Sequence, residues 1–173
     1  MVSSFSRQSG QAAAAGQVNF IPVALDDPLA QPLLADLAAE YAQRYEMEED
    51  AIAAWLRDGP PGEFEPPDGG MLIGVLDGRP ITGGAFCRYD ADTAELKRVW
   101  TDREHRRRGY ARALLSALET EIGTRGYRKV YLITGNRQPE AEELYRAAGY
   151  TQLAEPLPTI GPVFPIAFLK DLV

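Results

Sequence analysis

VWTDREHRRRGYARALL, residues 99–115, runs from the end of a strand through an arginine-crowded turn into a helix. The strand reads from Ala94 to Thr101. The helix reads from Gly109 to Ile122, because Ala111, Leu114, Leu115, Leu118 and Ile122 recur on one face at helical spacing. A helix start leaves backbone N–H groups unpaired and carries the positive end of the helix dipole. Glycine at 109 and the small Ala111 allow a ligand to approach that backbone closely, so the turn suits a phosphate. Arg106, Arg107 and Arg108 add side-chain charge at the same place. A solvated basic turn that merely caps a helix fits the same residues. The stretch is not a P-loop, which ends in Gly-Lys-Ser/Thr, nor the dinucleotide-binding GxGxxG.

Upstream, Gln17 to Leu25 alternates loosely and predicts a first strand. A helix is expected from Pro28 onward, with Leu33, Leu34, Leu37 and Tyr41 on one face, and a shorter one over Glu49–Leu56. GPPGEFEPPDGG, residues 59–70, holds four prolines and four glycines and predicts a long surface loop. Met71–Leu76, the turn signal Asp77-Gly78, Ile81–Arg88, the turn Asp90-Ala91-Asp92 and Ala94–Thr101 make an antiparallel meander. Downstream come a strand at Lys129–Thr134, a helix opened by Pro139 and stopped by Gly149, and a strand at Tyr150–Leu153. A proline-rich segment (Pro156, Pro158, Pro162) then leads to a last strand near Ile166–Leu169. The order predicts an α/β chain, a mixed and mostly antiparallel sheet with helices on both faces. Residues 1–16 are expected to be a tail and 17–173 one domain.

With 173 residues, 45% hydrophobic and 25% charged, the chain has the means to build one ordinary core. A net charge of -7 and a pI near 4.8 argue against a nucleic-acid partner. No apolar run approaches membrane-span length, and the opening residues lack the apolar core of a secretion signal. Cys87 is the only cysteine and His105 the only histidine, so no metal site of the Cys/His kind is expected. A lone cysteine also fits a reducing, cytoplasmic location. A homodimer is compatible with the sequence. Charge is unevenly spread: nine acidic residues lie between Glu40 and Asp68, and five arginines between Arg103 and Arg112. Two ligand subsites of opposite sign, or two solvated faces, account for that pattern.

Arg106-Arg107-Arg108-Gly109-Tyr110-Ala111 resembles the R/Q-x-x-G-x-G/A motif of the GNAT superfamily of acetyltransferases. AELKRVWTD before it, the amphipathic helix after it and NRQPEAEELYRAAGY downstream extend the resemblance in the family's order and spacing. The resemblance implies the GNAT fold, and acetyl-coenzyme A as donor of an acetyl group to the primary amine of a small molecule by direct attack. It implies that Arg106, Arg107, Arg108, Gly109, Tyr110, Ala111 and Arg112 surround the cofactor's pyrophosphate. It further implies that the pantetheine arm pairs along Val99 to Thr101, with the Val99 N–H stabilising the thioester oxygen, and that Asn136 lies near the cofactor. Such a strand needs a local bulge, so alternation does not tell which side chains face the ligand.

Two residues resemble the family's catalytic groups. Glu95, eleven residues before Arg106, stands where several members carry a general base. A pairing with Lys97 or Arg98 is its structural alternative. Tyr145 matches the tyrosine that protonates the departing thiolate, and on pattern alone it is a core aromatic. Glu63, Phe64 and Glu65 fall in the segment that the resemblance gives to the acceptor, where the carboxylates would draw a cationic amine or only keep a loop soluble. An acetyl-coenzyme A-binding sensor and a protein or peptide N-acetyltransferase are the competing readings.

Overall fold

The structure is a computed structural model that describes residues 17–154, 157–159 and 164–173. The expected tail, and Pro156 and Pro162 of the proline-rich segment, lie outside the described residues. Strand β1 is Asn19–Pro22, helix α1 Gln31–Tyr45 and α2 Glu49–Arg57. The meander follows as β2 Gly70–Leu76, β3 Arg79–Arg88 and β4 Thr93–Thr101. Helix α3 Tyr110–Thr124, β5 Lys129–Gly135, α4 Pro139–Ala147, β6 Thr151–Gln152 and β7 Pro165–Asp171 complete the order. Asp77 and Gly78 both take positive φ, 50° and 79°, as the two-residue turn between β2 and β3 requires. The first and sixth strands are shorter than their hydrophobic runs suggested.

The seven strands lie in the order β1-β2-β3-β4-β5-β7-β6, antiparallel except for β4 and β5. One face carries α3 and α4: Leu114, Leu115, Leu118 and Ile122 pack on Phe86, Ala94, Leu96, Leu132 and Phe168. The other carries α1 and α2 over Met71, Ile73, Ala85, Cys87 and Trp100. We call these the back and front faces. Each large aliphatic side chain so buried contributes about 1.5–3 kcal/mol.

Two departures from a regular sheet position the site. The β4–β5 ladder runs only from Thr93–Lys129 to Leu96–Leu132, so the rest of β4 has no partner on that edge. A bulge interrupts β4 as well: Ala85 faces Lys97 and Gly83 faces Trp100, which leaves Gly84 opposite both Arg98 and Val99. Arg98 takes φ +60° there. The extra residue reverses the alternation. Ala94 and Leu96 pack in the back core, and Val99 joins them, whereas Trp100 packs in front. A Cβ on Gly84 would stand 3.4 Å from the Val99 side chain and 3.0 Å from that of Leu118, so glycine keeps room for the bulge.

The 59–70 segment is the mostly exposed surface loop that its composition suggested, and it is anchored at several points. Phe64 is buried in the front core. The Tyr127 hydroxyl donates to the Asp68 carbonyl at 2.7 Å, and Arg125 donates to the Pro67 and Gly69 carbonyls at 3.0 and 2.7 Å. Prolines and glycines set its turns, and these three contacts hold it down.

Candidate active site

The turn before α3 has the features of an anion cradle. Gly109, at φ +83°, is the residue before the helix, and no side chain caps it. Among the described residues nothing accepts from the N–H groups of Gly109, Tyr110, Ala111 or Arg112; the first bond is Ala113 N–H to the Gly109 carbonyl at 3.1 Å. A Cβ at Gly109 would meet nothing within 4 Å, so the space before those donors is open. Arg107, Arg108 and Arg112 are exposed and form no ion pair among the described residues. Arg106 differs from its neighbours. Its guanidinium pairs with Glu40 on α1 and donates to the Thr101 carbonyl at 3.2 Å, so it braces the turn against α1. His105 is held by Asp102 at 2.6 Å. The turn therefore fits a pyrophosphate through backbone donors and three free arginines.

Glu95 lies on the front face, opposite Cys87 on β3 and Tyr131 on β5. The alternative partner proposed for it is taken: Lys97 Nζ contacts Glu63 Oε1 at 3.1 Å. Arg98 is taken too, donating to the Leu56 carbonyl at 3.3 and 3.2 Å and lying over the Trp55 and Phe64 rings. Glu95 has no hydrogen-bond partner among the described residues. Burial pushes its carboxyl above the ordinary glutamate range; Lys97 pulls it back and Glu63 raises it further. Cys87, beside it, is pushed up to about 11 by burial.

Tyr145 comes from α4 into the back core, 6% exposed, edge-on to Tyr150 at 5.7 Å between centroids. Its hydroxyl makes no hydrogen bond among the described residues, and burial raises its pKa, with a further rise from Tyr41. Tyr41 approaches from α1 on the front. Its influence thus reaches Tyr145 from the other face of the sheet. Burial pushes the Tyr41 phenol itself up to about 12. Sequence reasoning placed Tyr41 only on the packed face of its helix, and no local pattern could have linked it to Tyr145.

The sequence profile of the Acetyltransferase (GNAT) family matches residues 31–150. This chain belongs to the GNAT family. Over 106 residues it is 27% identical to N-acetyltransferase 8 of Rattus norvegicus, covering 61% of this chain and 46% of that one. The chain thus spans about half the length of that curated relative. Its fold is shared with a Klebsiella pneumoniae protein described as an acyl-CoA N-acyltransferase: TM-score 0.69, 24% identity, 90% of this chain and 98% of that one. A GNAT family acetyltransferase from Elizabethkingia anophelis with acetyl-CoA bound matches with TM-score 0.61 at 18% identity, over 90% of this chain and 98% of that one.

The remaining expected site residues of this GNAT chain fall into three groups. Val99 and Thr101 lie on the unpaired edge of β4, with Val99 at the bulge. Asn136 ties the end of β5 to the residue before β7: its Oδ1 accepts from Phe164 N–H at 3.1 Å, and its own N–H donates to the Phe164 carbonyl at 3.1 Å. Of the acceptor candidates, Glu63 is held by Lys97, Phe64 is core and Glu65 is exposed. Lys97 and Arg98 were not singled out as site residues, although a basic pair inside a half-buried strand was a signal for them. A cavity of about 380 Å³ between Pro22–Ala24, Phe64 and Arg125 contains neither Glu95 nor Tyr145. Among the described residues no cluster could hold a metal ion, and no helix is long and apolar enough to cross a membrane.

The Glu63–Lys97 contact gives a direct expectation for Glu95. In Glu63→Gln the Lys97 ammonium loses its anionic partner and one carboxylate disappears from the cluster, and both changes lower the Glu95 pKa. Carboxyl carbon NMR should therefore show Glu95 titrating above ordinary glutamates in the parent and moving toward them in the variant. An unmoved midpoint would mean that Glu63 does not act on Glu95.

Proposed function

We propose that this chain is an acetyltransferase that moves an acetyl group from acetyl-coenzyme A to a primary amine of a small molecule, in a single direct attack. The observation that carries this reading is the pairing of Lys97 with Glu63 and of Arg98 with Leu56, which leaves Glu95 an unpaired, half-buried carboxylate beside the parted strands. A pure binder of the cofactor has no use for such a group.

Acetyl-coenzyme A supplies the acetyl group as an activated thioester. The residues of the chain do the rest. The N–H groups of Gly109 to Arg112, with Arg107, Arg108 and Arg112, hold the pyrophosphate. The unpaired edge of β4 receives the pantetheine arm as a further strand would be received. At the bulge, the Val99 N–H donates to the thioester oxygen as negative charge gathers there. Glu95, directly or through a water, takes the proton that an ammonium must lose before its nitrogen can attack the carbonyl carbon; burial raises its basicity toward that task. As the N–C bond forms and the C–S bond breaks, Tyr145 donates its hydroxyl proton to the sulfur. A buried phenol keeps that proton at neutral pH, so it is available to give.

Free-thiol release from acetyl-coenzyme A with a panel of amines and peptides tests the reading. Tyr145→Phe should lower kcat on the order of 10²-fold with cofactor affinity nearly unchanged, since only the departing sulfur needs the proton. Release with peptides but with no small amine would favour the protein-directed alternative, and wild-type turnover by the variant would remove Tyr145 from the chemistry.

A further inference from the structure

The geometry points to an acceptor with a single amine on a flat apolar body, an arylalkylamine, laid against Tyr89 and Ile133, rather than to a polycation. The inference rests on the acetyltransferase reading of Glu95 and goes beyond it to the acceptor's chemical class.

Charge comes first. A diamine or a basic amino acid needs a second carboxylate, spaced from the base, to hold its second positive group. The acidic stretch looked able to supply one. In the folded chain Glu63 is bound by Lys97 at 3.1 Å, Asp68 by Arg88 at 2.8 Å, and Glu40 by Arg106. Glu63 and Lys97 act on Glu95 with opposite signs, Lys97 the more strongly, so the pair adds no net negative charge where the amine would sit. Glu65 is exposed and lines a cavity that does not include Glu95. Glu46, Glu48, Glu49, Asp50 and Asp58 are exposed and unpaired among the described residues, but none stands on β3, β4 or β5; on those strands Glu95 is the only carboxylate, and it can meet only one amine.

Surface comes second. The strand register puts Glu95 beside Tyr131, and Tyr131 and Ile133 share its side of β5. Cys87 pairs with Glu95 across β3 and β4, so Tyr89, two residues on, emerges on the same side. There its ring stacks on Tyr131, with centroids 4.5 Å apart. Helices α1 and α2 cover the front of β2 to β4. Beyond their reach Tyr89 is 55% exposed and Ile133 46%, while Tyr131 beneath Tyr89 is 8% exposed. An apolar and aromatic shelf thus begins at the candidate base and runs outward over β5. Stacking and area burial reward a planar apolar body placed there.

The test compares 2-phenylethylamine, n-butylamine and 1,4-diaminobutane as acceptors, at low and high salt, by thiol release. The aromatic amine is expected to exceed the other two in kcat/KM by about tenfold, with little salt dependence. Tyr89→Ala, at an exposed position, should raise KM for 2-phenylethylamine alone and leave kcat and the melting temperature nearly unchanged. Preference for the diamine, suppressed by salt, would overturn the inference while leaving acetyl transfer intact. Absence of thiol release with every amine would overturn the acetyltransferase reading instead. In that case calorimetry of 2-phenylethylamine with the acetyl-coenzyme A-loaded protein, parent against Tyr89→Ala, decides the shelf by itself: binding lost in the variant upholds it, and no binding to the parent ends it.

Discussion

Gly109→Glu should abolish acetyl-coenzyme A binding. The new side chain would extend into the open space before the α3 donors, where a Cβ meets nothing within 4 Å. Its carboxylate would sit where the phosphates must, bonded to the same N–H groups and paired with the same arginines. Charge-assisted hydrogen bonds are worth about 1.5–3 kcal/mol each, so displacing two or three weakens binding by orders of magnitude. The substitution also places a side chain at φ +83°, which strains the turn by about 1–3 kcal/mol. Gly109→Ala carries that strain without the charge and should keep measurable affinity. Calorimetry of the three proteins with acetyl-coenzyme A checks this. Silence from the parent at high micromolar cofactor would defeat the cradle, and equal affinity for parent and glutamate variant would move the phosphates elsewhere.

Glu95→Gln should lower kcat on the order of 10²-fold and remove the acid limb of its pH profile. The two carboxylate-state effects can be told apart by stability. Because the folded pKa of Glu95 lies above its unfolded value, the native state holds the proton more tightly than the unfolded chain does. Stability is therefore lost as pH rises through the window between those two values. Glutamine carries no charge to bury, so the variant should melt no lower than the parent at neutral pH while turning over far more slowly. A variant that melts lower and loses activity in proportion would point to a packing role. One that turns over normally would leave the base to be found elsewhere.

How much of this was legible in the sequence depends on how far apart the interacting residues lie. Local periodicity was enough for the meander, for α3 with its four buried aliphatics, and for the strand, turn and helix around Gly109. The need for a bulge near Val99 was also legible, but its consequence was not. Which face Trp100 takes depends on Gly84 across the ladder, and a single strand does not reveal its partner's register. The 59–70 segment was legible as a surface loop, but its anchoring was not, for a related reason. Its prolines and glycines speak of turns, whereas Phe64, Tyr127 and Arg125 hold it through contacts with distant segments. Charge was the least legible feature of all. Glu63 and Lys97 are 34 positions apart, and Glu40 and Arg106 are 66 apart. Pairing across the fold takes Glu40, Glu63 and Asp68 out of the acidic stretch, whereas Glu46, Glu48, Glu49, Asp50, Asp58 and Glu65 stay exposed and unpaired among the described residues.

The position of Cys87 bears on the order of events in catalysis. It is the only thiol in the chain and the nearest to Glu95 across the ladder, so it is where a covalent relay of the acetyl group would be sought. Its pKa of about 11 keeps it protonated, and its burial keeps it from a thioester. Among the described residues that thiol is closed to such a relay. The direct attack proposed above then requires donor and amine to occupy the molecule together, with neither product leaving before both substrates have arrived.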